Sequence, residues 1–260
     1  MAAIIKTEFL KVKRYYILWA GVGLMLLSVL LTLFTSTAND GTVWDFAYLT
    51  EQVIKNNMTM TFPMCITLIA GYIISREWTD DTIKNILTVP ISFKRLLTGK
   101  LVLCGALALL FGIVSTLFTI LAEMLVKFPG FTFPLVMQAF FQITMECFFL
   151  YLAVMPIIVL TSRIPGSFLV GVIVSFVYGY GGIFAAGSMT LSNIYPVTAC
   201  LGLIGYRSYD KAVTWNLPMC LLSIFLIVGI SVILIVAGKD KEPKKSKRNK
   251  GKQPARKKGW

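Results

Sequence analysis

Six apolar runs, each close to the roughly 20 residues that a helix needs to cross a bilayer, recur along the 260 residues of this chain. They occupy 17–38, 58–75, 101–122, 140–161, 168–186 and 217–238. Inside hydrocarbon every backbone N–H and C=O must find a partner within the protein, so runs of this length are read as helices. The expected fold class is an all-α membrane protein with six transmembrane helices. The apolar fraction of 57% agrees, since a soluble domain holds about 45 to 50%. The first run follows Lys and Arg and ends in Ser36-Thr37-Ala38, which resembles a secretory leader. It exceeds the roughly 7 to 15 residues of a signal h-region, so an uncleaved helix is expected.

An even number of spans places both termini on one side, and the basic residues choose the side. With a cytoplasmic N-terminus, segments 1–16, 76–100 and 239–260 together with Arg163 carry 21 of the 25 Lys and Arg residues. Lys55, Lys127, Arg207 and Lys211 remain outside. The positive-inside bias therefore predicts both termini in the cytoplasm, and with them the segment between spans two and three.

Several functions are excluded by what the chain lacks. Without histidine there is neither a zinc H-E-x-x-H site nor a Ser-His pair. No G-x-x-x-x-G-K-[ST] loop is present, so the chain does not itself hold a nucleotide in that manner. Cys65, Cys104, Cys147, Cys200 and Cys220 show no C-x-x-C spacing and read as small core residues, with no metal site expected. Gly179-Tyr180-Gly181 lacks the Thr-Val that precedes it in a potassium filter. The small residues Gly171, Gly179, Gly181, Gly182 and Ala186 instead suit close helix packing.

The polar segments are more informative. In residues 1–16, Ile5, Phe9, Val12 and Tyr16 share one helical face, while Lys6, Lys11, Lys13 and Arg14 take the rest, the pattern of an interfacial helix. In 76–100, Thr79, Asp80 and Asp81 form a helix start. Ile83, Ile86 and Leu87 then make a stripe, and Pro90 ends it by disfavouring helix at Val89. Ser92 offers a second cap, and Phe93, Leu96 and Leu97 repeat the stripe before Gly99-Lys100. Two short amphipathic helices with a proline elbow are expected, serving either as a lipid-surface rest or as a dock for a soluble partner.

Residues 44–57 read as an external helix or an extension of span two, kinked by Pro63. Residues 187–206 are too polar to cross and too apolar for a free loop, so short external or re-entrant helices are expected there. Glu146 is the carboxyl placed well inside a span, which makes it a candidate for the substrate path. Glu123 is read as interfacial. The tail 239–260 is polar and dominated by like charge, so disorder is expected. Anionic lipid is the expected partner of that tail, in preference to nucleic acid.

The order E-F-x-K-x-K-R before span one and R-E-W-x-x-D-T-I-K-N-x-L-x-x-P-I-S-x-x-R-L-L-x-x-K between spans two and three resembles the membrane subunit of a type-2 ATP-binding cassette transporter. More narrowly, it is similar to the bacitracin-resistance and lantibiotic-immunity permeases of Gram-positive bacteria. The resemblance implies a multi-pass protein of a bacterial plasma membrane that is not itself an enzyme. It further implies a homodimer or a second permease above two cytoplasmic ATPase subunits, which bind the ATP and Mg. Glu77, Asp80, Asp81, Thr82, Ile83, Ile86, Leu87 and Pro90 then correspond to a coupling helix, and 4–16 to an interfacial connecting helix. The expected activity is ATP-driven export of a peptide antibiotic or other amphiphile. A secondary transporter or small channel working without an ATPase is the alternative.

Overall fold

The computed structural model describes residues 2–12, 15–38, 43–79, 93–164, 166–207 and 213–237. Its elements are α1 (Ala2–Val12), α2 (Ile17–Ser36), α3 (Phe46–Asn56), a π-helical turn (Asn57–Thr61), α4 (Phe62–Thr79) and α5 (Phe93–Val126). They continue with α6 (Phe133–Thr161), α7 (Phe168–Ala186), α8 (Leu191–Ile194), α9 (Pro196–Leu203) and α10 (Leu217–Ala237). No strand occurs among the described residues. Among the described residues six helices are long and apolar enough to cross a membrane: α2, the continuous α3–α4 unit, α5, α6, α7 and α10.

The second span is longer than its apolar run, because α3 enters α4 through the π turn rather than standing apart. Pro63 supplies the reason. It has no N–H to give the carbonyl of Thr59 and its ring crowds that carbonyl, so a wider turn replaces a sharp kink. A Cβ at Gly179 of α7 would sit 2.8 Å from the Thr59 carbonyl oxygen and 3.1 Å from that of Met58. Glycine lets α7 close over the exposed carbonyls of the turn.

The fourth span likewise starts early, at Phe133. Glu146 is therefore 13 residues into α6, about 20 Å from its beginning at 1.5 Å per residue. That is nearly four turns, where the apolar run alone suggested two. A larger correction concerns α5, which runs unbroken from Phe93 to Val126. The second short amphipathic helix is its first two turns, and Leu96 and Leu97 are buried in protein rather than resting on lipid. Gly99 does not break the helix, since a helical glycine costs only about 1 kcal/mol. Glu123, in the last turn of α5, is buried, 3% exposed.

The α3–α4 unit and α6 are mostly buried, whereas less than a third of α2, α7 and α10 is buried. Gly21, Met25, Ser28, Val29 and Thr32 form the inward stripe of α2, while Trp19, Leu27, Leu30, Leu31 and Phe34 face out. Such outward apolar surface is what a lipid-facing helix presents. Between α5 and α6 the backbones nearly touch, because a Cβ at Gly112 would stand 2.7 Å from Thr144 Cα. The short helices α8 and α9 occupy the segment before the last span, with α9 packed on α10 and α6.

Candidate functional site

One end of the bundle collects the described flanks of segment 80–92. Helix α1 turns Glu8 and Val12 inward and leaves Phe9 and Leu10 exposed. Glu8, 1% exposed, accepts a hydrogen bond from Lys100 Nζ on Oε2 at 2.9 Å and one from Lys11 Nζ on Oε1 at 2.7 Å. Lys100, 2% exposed, also donates to the carbonyl of Ile73 at 3.1 Å. Three elements thereby meet at one ammonium: α1 through Glu8, α4 through Ile73 and α5 through Lys100 itself. Burial works to raise the Glu8 carboxyl, but the two lysines outweigh it and hold it below the ordinary carboxylate value.

Beside this junction the Arg76 guanidinium lies over the Tyr15 ring, 4.6 Å from its centroid, and Tyr15 meets Tyr72 edge-on at 6.0 Å. Aromatic faces attract such a cation, so the chain leading from α1 into α2 is also tied to α4. At the same end Lys94 donates to the Val236 carbonyl at 2.8 Å, and Arg163 donates to the carbonyls of Leu234 and Ile235. These carbonyls end α10, where cations satisfy free acceptors and complement the helix dipole.

Glu77 lies in the last turn of α4, and its side chain lies outside the described residues, as do Asp80, Asp81, Thr82, Ile83, Ile86, Leu87, Pro90 and the tail 239–260. Glu8 and Lys100 were not singled out from the sequence as site residues. Both stand in the pattern that carries the family resemblance, one near its start and one at its end, and the structure pairs them.

A second polar group crosses the middle of the bundle. Ser28 of α2 donates to Asn57 Oδ1 at 2.8 Å, and Asn57 Nδ2 donates to Ser115 of α5 at 3.3 Å. Asn56 Nδ2 donates to Thr32 at 2.8 Å, and Thr67 of α4 donates to Ser175 of α7 at 2.8 Å. Such bonds hold helices together where burial of apolar surface gives no preference for protein over lipid. Glu146 is fully buried next to this seam, with both carboxyl oxygens unpartnered. Asn57 is the polar side chain that acts on it.

At the opposite end, Arg207 Nε lies 3.1 Å from Glu51 Oε1, and Gln142 donates to the carbonyls of Ile204 and Gly205 at 3.2 Å. Trp44 stacks on Phe128 with centroids 6.0 Å apart and meets Tyr48 edge-on at 4.7 Å, an aromatic cluster of the kind found at membrane interfaces.

Six spans, a cation-rich end tied to an amphipathic N-terminal helix, and interhelical polar bonds at mid-depth define a multi-pass helical membrane protein. Among the described residues no group of His, Cys, Asp or Glu is arranged to hold a metal. Residues 4–182 match the family model described as ABC-2 family transporter protein, and the chain belongs to that family. Over 94 residues it is 30% identical to the bacitracin transport permease protein BCRB of Bacillus licheniformis, across 36% of this chain and 45% of that protein. The chain thus spans less than half the length of the curated relative it matches.

Proposed function

We propose that this chain is the permease subunit of an ATP-driven exporter for a peptide antibiotic of bacitracin or lantibiotic type, or another amphiphile, conferring resistance or self-immunity. A separate cytoplasmic ATPase subunit, in two copies, binds ATP and Mg and docks against Glu77 to Pro90. The permease acts as a homodimer or beside a second permease in a bacterial plasma membrane, and its basic tail rests on anionic lipid.

The observation that carries this reading is the Lys100 junction. The helices on either side of segment 80–92 are joined at one buried ammonium, and that ammonium also grips α1. A force applied to the segment from outside the membrane would therefore reach the second span, the third span and the N-terminal helix together. A passive connection needs only about 2 to 8 residues between packed helices and has no use for such a brace. The similarity to a bacitracin transport permease supports the substrate class.

The test replaces Glu77 to Pro90 by a Gly-Ser linker of equal length in a susceptible bacterium that expresses the chain with the ATPase encoded beside it. Bacitracin or lantibiotic resistance and co-purification of the ATPase should both disappear while the permease stays in the membrane. Retention of both overturns the proposal.

A further inference from the structure

We infer that Glu146 and the polar stripe leading to it form a binding site for the ammonium group of an amphiphile. Gln138, Gln142 and Glu146 follow one another at four-residue spacing on α6, so they lie along one face. Their burial is graded: Gln138 is exposed, Gln142 half-buried and Glu146 fully buried. Across from the outer two, α3 contributes Thr50 and Glu51, and a cavity of about 30 Å³ lies between the two helices. A water-sized group needs roughly 10 to 15 Å³, so the cavity admits an ammonium head. From Gln142 on its wall to Glu146 is one helical turn, about 6 Å.

The inner end lacks what an ammonium supplies. Neither Glu146 oxygen has a formed hydrogen bond, and among the described residues no Lys or Arg forms an ion pair with them. Asn57 already gives its oxygen to Ser28 and one amide hydrogen to Ser115, which leaves one hydrogen to face the carboxyl. An ammonium provides three N–H donors and one positive charge. The mouth fits an amphiphile because exposed Phe133, Met137 and Phe141 flank Gln138 on the same helix. The cavity is lined as far as Gln142 and does not include Glu146, so the head would advance one further turn along the stripe while the apolar body stays on the lipid-facing surface.

Glu51 does not compete for the role, since Arg207 already neutralises it. The inference deepens the permease reading by naming the substrate's recognised group, and its test needs no ATPase. Failure here leaves the coupling reading standing.

The experiment titrates the full chain in lipid nanodiscs with dodecylammonium by isothermal calorimetry, with dodecanol and dodecyltrimethylammonium as controls. Saturable binding is expected for dodecylammonium, at least ten-fold weaker for the headgroup without N–H donors, absent for dodecanol, and at least ten-fold weaker in Glu146→Gln. Equal binding by the variant, or by dodecanol, overturns the site. So does displacement by millimolar sodium or potassium at constant ionic strength, which would mark an alkali-ion site. If the variant cannot be incorporated, the wild-type chain serves with dicyclohexylcarbodiimide. Modification of Glu146, read by mass spectrometry, should be suppressed by dodecylammonium and not by dodecanol. Unsuppressed modification overturns the inference.

Discussion

Glu8 and Glu146 are both removed from solvent, 1% and 0% exposed, yet their surroundings treat them in opposite ways. Glu8 is gripped by two ammonium groups, one of which, Lys100, ties three elements together. Glu146 has no formed partner, and the helices around it are held by other residues such as Ser28, Asn57 and Ser115. A carboxyl gripped by cations belongs to the scaffold. One whose oxygens form no hydrogen bond leaves acceptors that something outside the described chain can meet. The comparison can be broken at either end.

The largest effect is expected from Lys100→Met. It removes the buried partner of Glu8 and leaves the carboxylate only Lys11, whose side chain is 40% exposed, and breaking one side of a buried pair costs about 3 to 5 kcal/mol. Thermal unfolding of the purified protein should show a large loss, and the double variant with Glu8→Leu should recover much of it, because the half-paired buried charge is then gone. A matching pH dependence follows from the lowered Glu8 value. The contribution of a depressed carboxylate is fully present above its unfolded value and is lost as pH falls through the folded one. Docking of α1 should hold between pH 8 and pH 5 and weaken only below about pH 4, as read by the mobility of a nitroxide attached at residue 6. Weakening near pH 6 would show that Glu8 is not the residue responsible.

Next is Gly112→Val. Its added carbon atoms meet Thr144 Cα, a backbone atom that cannot swing aside, and overpacking of this kind costs about 1 to 3 kcal/mol. Because α5 carries Lys100 and α6 carries Glu146, the variant acts on both regions at once. It should lower the unfolding temperature and also weaken dodecylammonium binding. If it lowers stability alone, the two regions are mechanically separate.

The sequence reading anticipated some of this contrast and missed the rest for identifiable reasons. Apolar run length located all six spans, and α7, Phe168–Ala186, coincides with its run. The helices of spans two, three and four extend beyond their apolar runs into half-polar segments, where Glu51, Lys94 or Gln138 interrupts the run without stopping the helix. The π turn left only the trace of Pro63. Pairing between Glu8 and Lys100 joins positions 92 residues apart, and no local period reports such a contact. The stripe of Gln138, Gln142 and Glu146 was legible, since polar residues at four-residue spacing on a spanning helix are a period like any other. Gln138 lies before the apolar run 140–161, so run length alone does not show the stripe as part of the span.

A smaller effect is expected from Arg207→Ala. The pair with Glu51 resembles the Glu8 junction in chemistry, but the Arg207 side chain is 65% exposed, and pairs of that kind contribute about 0.2 to 1 kcal/mol. Stability should barely move. Glu51 would instead become a second unanswered carboxylate at the cavity, so dodecylammonium should bind at an added position and the calorimetric stoichiometry should rise. Unchanged stoichiometry with a large stability loss would make Arg207 a structural brace like Lys100.

The smallest change in stability is expected from Glu146→Gln, although it alters the most deeply buried carboxyl. No ion pair is broken, no formed hydrogen bond is lost, and the shape is kept. Replacing a buried group that has no partner by one of equal shape is often close to neutral, within about 1 kcal/mol. Thermal unfolding without ligand should therefore match the wild type or exceed it, while the extra stability that dodecylammonium confers on the wild type should vanish. That separation is the sharpest form of the contrast. At Lys100 a substitution should destroy stability whether or not a ligand is present, and at Glu146 it should remove only the part of stability that depends on the ligand. A large ligand-independent loss in Glu146→Gln would mean that the carboxyl holds the bundle together after all, and the two glutamates would then differ in depth but not in role.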